Sequence, residues 1–93
     1  MSSEKMKMII AIVRDADVDE ILQALLDEDF RVTRIASSGG FFRRGNATLM
    51  MGVKEERLEE AISIIRNLCE PTLDLAVKHA TVFVLDIDRF EQV

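Results

Sequence analysis

Histidine, cysteine and proline occur once each in the 93 residues, and tryptophan and tyrosine do not occur at all. The lone cysteine, Cys69, excludes an intramolecular disulfide and fits a reducing cytosol. Because His79 is the only histidine, no Cys/His metal cluster is expected within one chain, and a histidine-based triad has little to build on. The sequence therefore predicts no metal, no cofactor and no enzymatic activity.

Phosphate-binding motifs and membrane segments are also missing. There is no GxxxxGK[ST] loop, and the glycines at 39, 40 and 45 do not form GxGxxG. The apolar run at residues 6–13 is too short for a membrane helix, contains Lys7 and lacks a signal-peptide cleavage site. We therefore expect a soluble, cytoplasmic protein without membrane insertion.

The net charge of −5, from 17 acidic and 12 basic side chains, argues against nucleic acid as a partner. Neither residues 7–13 nor residues 47–53 carry the aromatic pair with which RRM sheets stack bases. Hydrophobic residues make up 48% of the chain, which is generous for a single domain spanning residues 1–93. The surplus either fills a dense core or is buried against another copy of the chain.

The apolar pattern predicts alternating strands and helices. Strands are predicted at 7–13, 30–36, 47–53 and 80–85, with a weakly marked edge strand at 73–79. Asp15 and Asp17 are predicted to cap a helix that runs to about Asp29, and a second helix spans 55–69. The apolar stripes are Val18, Ile21, Leu22, Leu25 and Leu26, and then Leu58, Ala61, Ile62, Ile65, Leu68 and Cys69. This order predicts an α+β, ferredoxin-like βαββαβ sandwich in which the first and last strands are neighbours.

The segment between the second and third strands is richer than a hairpin turn requires. Residues 37–48 place three glycines around two phenylalanines, two arginines and an asparagine. Glycine admits a close ligand, phenylalanine stacks on planar groups, arginine binds phosphate and asparagine pairs with a base edge. These residue types indicate a pocket for a planar anion such as a nucleotide. The alternative is an ordinary loop whose phenylalanines dock on the core.

Two features of the flanking strands fit the same interpretation. Arg31 and Thr33 fall on one strand face under a period of two, although a solvated face is the commoner use of such residues. Gly52 weakens its strand unless a bulge or a closely approaching group needs the space.

Several segments resemble the PII-like cyclic-di-AMP receptors. They are MKMIIAIV at 6–13, FRVT at 30–33, SSGGFFRRGN at 37–46, ATVFVL at 80–85 and DRFEQ at 88–92. The likeness runs over nearly the whole chain from Met6. It implies a PII-like, ferredoxin-fold subunit of a homotrimer, three nucleotide sites in clefts between subunits, and signalling rather than catalysis.

Positions that match the family pattern are expected to form the ligand site. The resemblance implies that Arg31 and Thr33 contact the ligand from the second strand. Phe41 and Phe42 would pack against an adenine, Asn46 would hydrogen-bond it, and Gly52 would admit the base to the main chain. Phe83 and Gln92 would complete the wall, with Asp29 beside them. The sequence does not show which subunit supplies each residue.

Two departures from the family pattern bear on the ligand. Asp29 stands where the family typically has asparagine, and an ionised carboxylate only accepts hydrogen bonds and repels phosphate. The long loop that the family carries before its closing strands, and that is thought to meet the downstream partner, is almost absent at 70–73.

The sequence therefore predicts a homotrimeric sensor of cyclic-di-AMP that acts on a downstream protein partner. One alternative is a PII-like regulator that binds another adenine nucleotide, or that acts through a protein partner with a degenerate pocket. A third hypothesis is an acylphosphatase-like hydrolase using Arg31 or Arg43 on phosphate and Asn46 on water. The chain lacks the glycine-bounded phosphate cradle of that family.

Overall fold

The computed structural model describes residues 5–37, 45–69, 80–89, 91 and 93. Strand β1 spans Met6–Arg14, helix α1 Asp15–Asp27, strand β2 Thr33–Ser37 and strand β3 Asn46–Lys54. A 3₁₀ turn, Glu55–Arg57, leads into helix α2, Leu58–Leu68, and strand β4 spans Ala80–Ile87. The predicted edge strand at 73–79 and the shortened loop at 70–73 lie outside the described residues.

The four strands form one antiparallel sheet in the order β2-β3-β1-β4. On one side of β1, Met8 lies opposite Gly52 of β3, and on the other side Ile10 lies opposite Phe83 of β4. The first and last strands are therefore neighbours, which confirms the predicted order. Helices follow β1 and β3, so the architecture is the predicted α+β, ferredoxin-like fold.

Both helices pack on one face of the sheet, where the strands turn every second side chain inward. Ile9, Ala11 and Val13 of β1 point to this face and are fully buried. The helices add Val18, Ile21, Leu25, Ala61 and Ile65 to the same core.

Leu26 was predicted to belong to the apolar stripe of α1 but is 52% exposed. It lies about 100° of helix rotation beyond Leu25, which places it past the edge of the buried face. The prediction for this residue is wrong.

The opposite face of the sheet is also apolar, and no helix of the described residues covers it. Ile10 of β1 is half-buried there, while Phe83 and Leu85 of β4 are 52% and 47% exposed. We call the surface formed by Met8, Ile10, Met50, Phe83 and Leu85 the open sheet face. A continuous apolar surface of this kind is uncommon on proteins that remain monomeric.

Two predicted boundaries are wrong for tertiary reasons. Asp15 and Asp17 lie buried inside α1 rather than at its N-cap, which is Arg14. The backbone N–H of Asp15 donates to the carbonyl of Gly45 (2.9 Å), the residue just before β3. This backbone hydrogen bond takes the place of a side-chain cap at the start of α1. The second strand begins at Thr33 rather than at residue 30, because residues 28–30 complete the turn that leaves α1.

Within the described ranges, no helix has the length and apolar character needed to cross a membrane.

Candidate functional site

One end of the sheet carries a cavity of about 790 Å³, a size typical of small-molecule sites. The start of β1, the turn from α1 into β2, and the passage from β3 into α2 meet there. The backbone N–H of Glu55 donates to the carbonyl of Lys5 (2.9 Å) and ties two of these segments together. The walls include four of the positions named from the sequence: Asp29, Arg31, Thr33 and Gly52.

Asp29 reaches the cavity because of the way α1 ends. Its φ of 66° lies in the left-handed region, which the chain enters only with strain at most residue types. Its N–H donates to the carbonyl of Leu26 (3.0 Å), and the N–H of Phe30 donates to the carbonyl of Leu25 (2.9 Å). These are the paired hydrogen bonds of a Schellman turn, whose left-handed position prefers glycine and accepts asparagine. The turn directs the next residues along the cavity wall.

Arg31 and Thr33 follow this turn, and both side chains are exposed. Arg31 precedes β2, whereas Thr33 is its first residue and lies opposite Met50 of β3. Among the residues that the structure describes, Arg31 forms no hydrogen bond or ion pair. Its forked guanidinium is therefore available to a phosphate or carboxylate in the cavity.

Gly52 forms part of the cavity wall without being required by the subunit itself. It pairs regularly with Met8, so no bulge accounts for a glycine here. A Cβ added at this position would meet Ile87 Cδ1 and Met6 Cε at 3.8 Å each, an ordinary van der Waals distance. Because alanine would fit, the glycine leaves room for a group outside this chain segment.

Charges of both signs surround the cavity. Arg31, Lys54 and Arg57 supply positive charge, and Asp29 and Glu56 supply negative charge. The lining thus carries one more cation than anion, in a chain whose net charge is −5. Because Arg57 is paired with Glu60 inside the subunit, attraction of an anionic ligand rests mainly on Arg31.

Arg57 is the most heavily engaged of these cations. Its Nε and Nη2 donate to the two carboxylate oxygens of Glu60 (3.1 and 3.0 Å), and Nη2 also donates to the carbonyl of Glu28 (2.9 Å). Its Cζ lies 4.1 Å from the centroid of the Phe30 ring. The hydrogen bond to Glu60 raises the pKa of Arg57 above its ordinary value.

The sequence interpretation missed Arg57 and the four methionines of the cavity, Met6, Met8, Met50 and Met51. A signal for the methionines existed, because alternation along paired strands places Met8 and Met50 on the face of Gly52. Their flexible thioethers suit contact with a planar ring. The predicted fold also brings the α1–β2 and β3–α2 connections to one end, which would have placed Arg57 near Asp29.

Asn46 and Phe83 do not line this cavity. Asn46 is exposed at the start of β3, and the strand carries it roughly 20 Å from Gly52. Phe83 ends a row of four paired residues, one per strand, that begins with Thr33. Three strand spacings separate Phe83 from Thr33, which is roughly 14 Å across the open sheet face.

The remaining predicted contacts, Phe41, Phe42 and Gln92, lie outside the described residues, as does Arg43. The hydrolase hypothesis requires an arginine and Asn46 at one phosphate. Within one subunit, Arg31 lies at the Gly52 end of β3 and Asn46 at the other end, so these two do not form such a pair.

Two features away from the cavity shift the pKa of ionisable groups, a hydrogen bond between strands and burial of a thiol. Lys7 donates to Asp86 on the paired strand, and this hydrogen bond lowers the pKa of Asp86 and raises that of Lys7. Burial, with a smaller contribution from Asp17, raises the pKa of the half-buried Cys69 thiol above its ordinary value. Cys69 packs against the core as predicted, but it is the C-cap of α2 with extended backbone rather than a residue of the helix. No group of three His, Cys, Asp or Glu side chains in the described ranges is placed to hold a metal ion.

Comparison with known proteins identifies the family of this chain. The sequence model of the family described as cyclic-di-AMP receptor matches residues 6–75. A solved structure of a functionally unknown protein from Pediococcus pentosaceus is 34% identical, covers 98% of this chain and all of its own, and superposes with a TM-score of 0.79. The structure of Arabidopsis thaliana PII bound to citrate shares the fold, with a TM-score of 0.65 at 22% identity over 91% of this chain and 77% of its own. The chain therefore belongs to the cyclic-di-AMP receptor family.

Proposed function

We propose that this protein senses a cyclic dinucleotide, cyclic-di-AMP, in clefts between the subunits of a homotrimer. The observation that carries the proposal is the cavity at the end of the sheet. Asp29, Arg31, Thr33 and Gly52 come from two separate stretches of the chain, and the wall of one cavity contains all four. The family match over residues 6–75 supports the choice of ligand.

The position of Phe83 supports a site shared between subunits. It lies at the far edge of the open sheet face from Thr33, so one copy does not bring both to the same ring. In the proposed trimer the open sheet faces meet, and a neighbouring copy supplies Phe83 and Asn46 to the cavity. This arrangement also covers the apolar side chains of β4 that one subunit leaves exposed.

The role that we propose is regulatory rather than enzymatic, in the cytoplasm, where a single cysteine remains reduced. The output passes to a downstream protein partner. Lack of turnover of acyl phosphates and nucleotides by the purified protein would agree with this role, and measurable turnover would contradict it.

Calorimetric titration of the purified protein tests the proposal, with cyclic-di-AMP, cyclic-di-GMP, ATP and AMP as separate ligands. We expect selective binding of cyclic-di-AMP at one ligand per subunit. The alternative of another adenine nucleotide predicts binding of ATP or AMP instead, and it is motivated by Asp29, whose ionised carboxylate only accepts hydrogen bonds and so selects a different base edge from asparagine. Absence of heat with all four ligands would leave a protein partner as the remaining function.

A further inference from the structure

We propose that Arg57 is a positioning residue of the ligand site, which holds the turn that carries Asp29 and Arg31 into the cavity. The inference rests on the proposed function for its ligand. Its structural part concerns only this chain and is tested separately below.

The contacts of Arg57 fall on both sides of Asp29. Nη2 donates to the carbonyl of Glu28, the residue that precedes Asp29, at 2.9 Å. The guanidinium lies over the ring of Phe30, the residue that follows, at 4.1 Å from its centroid. Phe30 is 4% exposed, so its ring is itself fixed in the core.

The other end of this arrangement is anchored on α2. Glu60 accepts from Nε and Nη2 of Arg57 at 3.1 and 3.0 Å, which fixes the plane of the guanidinium. One side chain thus joins the last turn of α1 to the first turn of α2. Asp29 lies between Glu28 and Phe30, the two residues that Arg57 contacts. Its left-handed conformation persists only where the surrounding structure holds it.

Arg57 and Arg31 differ in the charged groups around them, and this difference separates their roles. Arg57 is surrounded by the carboxylates of Glu60, Glu28 and Asp29, which favour its charged form. Its charge is therefore balanced within the subunit, and it is poorly suited to bind an additional phosphate. Arg31 forms no ion pair among the described residues, which leaves it to contact the ligand.

The test compares Arg57→Lys with Arg66→Lys. Lysine keeps the charge but cannot stack a planar group on Phe30 while forming the paired contacts with Glu60 and Glu28. Arg66 is exposed on α2, the helix that follows Arg57, and lies outside the cavity, so its replacement controls for an arginine-to-lysine change that leaves the turn after α1 untouched. We expect Arg57→Lys to weaken cyclic-di-AMP binding about tenfold and Arg66→Lys to leave it unchanged.

A double-mutant cycle with Arg31→Ala distinguishes positioning from direct contact. If Arg57 acts through the turn, Arg57→Lys weakens binding by no more than about twofold once Arg31 is replaced by alanine. Full additivity of the two losses would overturn the proposal, as would unchanged affinity of the Arg57→Lys single variant.

Amide hydrogen exchange provides a readout without ligand. The N–H groups of Asp29 and Phe30 donate within the turn, and their exchange should accelerate selectively in Arg57→Lys. Wild-type exchange at both amides would overturn the proposal. If no cyclic dinucleotide binds the wild-type protein, the proposed function fails, and the exchange measurement still decides whether Arg57 holds the turn.

Discussion

Gly52 allows folding and ligand binding to be separated at a single residue. An added methyl group fits at ordinary contact distance between Met6 and Ile87. We expect Gly52→Ala to raise the free energy of unfolding by roughly 0.5–1 kcal/mol, because alanine loses less backbone entropy on folding. The same methyl group occupies the cavity wall, so affinity for cyclic-di-AMP should fall.

Urea denaturation and calorimetry measure these two effects on the same preparation. Thr48→Ala is the control, because Thr48 lies on the same face of β3 and outside the cavity. Wild-type affinity in Gly52→Ala would show that no ligand approaches the main chain at this point.

Asp29 combines a conformational and an electrostatic disadvantage. Its carboxylate lies just after the end of α1, where the helix dipole disfavours negative charge, and it faces the proposed phosphate site. An asparagine at this position would accept the left-handed conformation equally well. We expect Asp29→Asn to stabilise the protein by roughly 0.3–1 kcal/mol and to tighten binding of cyclic-di-AMP.

Asp27→Asn separates these two effects, because Asp27 ends α1 but does not line the cavity. It removes the same charge from the same helix end. Thermal denaturation should show a higher melting temperature in both variants, and calorimetry should show tighter binding of cyclic-di-AMP only in Asp29→Asn. Equal or weaker binding in Asp29→Asn would contradict repulsion between the carboxylate and the ligand.

Arg31 and Phe41 test direct contact with the ligand. Arg31→Ala removes a charge-assisted hydrogen bond and should reduce affinity by roughly 1.5–3 kcal/mol. Phe41→Ala should reduce it by about 1–3 kcal/mol through lost stacking on a base. Calorimetry compares both with Arg66→Ala, an exposed arginine outside the cavity. If both variants fold and bind as the wild type does, the ligand site lies elsewhere.

At the scale of elements, the spacing of apolar residues determined which helices and strands could be predicted. The strands follow from short apolar runs and from the imperfect alternation at residues 30–36, and both helices follow from stripes at three- and four-residue spacing. The ends of α1 did not follow. Its first N–H is satisfied by the carbonyl of Gly45, which is distant in sequence, and its last turn uses Asp29 where glycine is the usual signal.

The pairing of β1 with β4 carries a pH dependence. The hydrogen bond from Lys7 lowers the pKa of Asp86 below 3.8, so the folded state binds this proton less tightly than the unfolded state. The stabilisation from the pair is therefore present at pH values above the ordinary pKa of 3.8, and it is lost as the pH falls through the lowered pKa of the folded state.

Asp86→Asn should be less stable than the wild type at pH 7, and this difference should disappear in strong acid. Urea denaturation across this pH range measures it. Asp88→Asn removes the same charge without breaking an ion pair of the described residues, and it should show no such loss at pH 7. A pH-independent difference for Asp86→Asn would contradict the assignment.

At the scale of the whole molecule, the open sheet face determines assembly. Leu85 on this face and Leu26 on α1 are 47% and 52% exposed, which makes them matched positions on different surfaces. We expect Leu85→Asp to dissociate the proposed trimer, because burying an unpaired carboxylate is costly, and Leu26→Asp to preserve it.

Analytical ultracentrifugation measures the outcome. The wild type and Leu26→Asp should sediment as three copies, and Leu85→Asp as a single folded chain. A monomeric wild type would refute the trimer, and an intact trimer in Leu85→Asp would place its interface on another face.

Sequence reasoning named four residues that line the cavity but could not bring them together. Arg31, Thr33 and Gly52 were singled out by residue type and spacing, and Asp29 by departure from the family pattern; they meet because of the fold. Arg57 carries no local signal, because a solvated helix terminus is the usual place for an arginine. Its role becomes visible only when Glu28, Phe30 and Glu60 are seen around one guanidinium.

The cavity and the open sheet face share Met8 and Met50. In the proposed trimer, a subunit that leaves the assembly therefore loses a wall of its own site, and a bound ligand holds two subunits together. Mass action then couples occupancy to the amount of protein, so that dilution releases ligand and ligand opposes dissociation. The cellular concentration of the chain would thus set its sensitivity, and a cell could retune the threshold of the response through expression level alone.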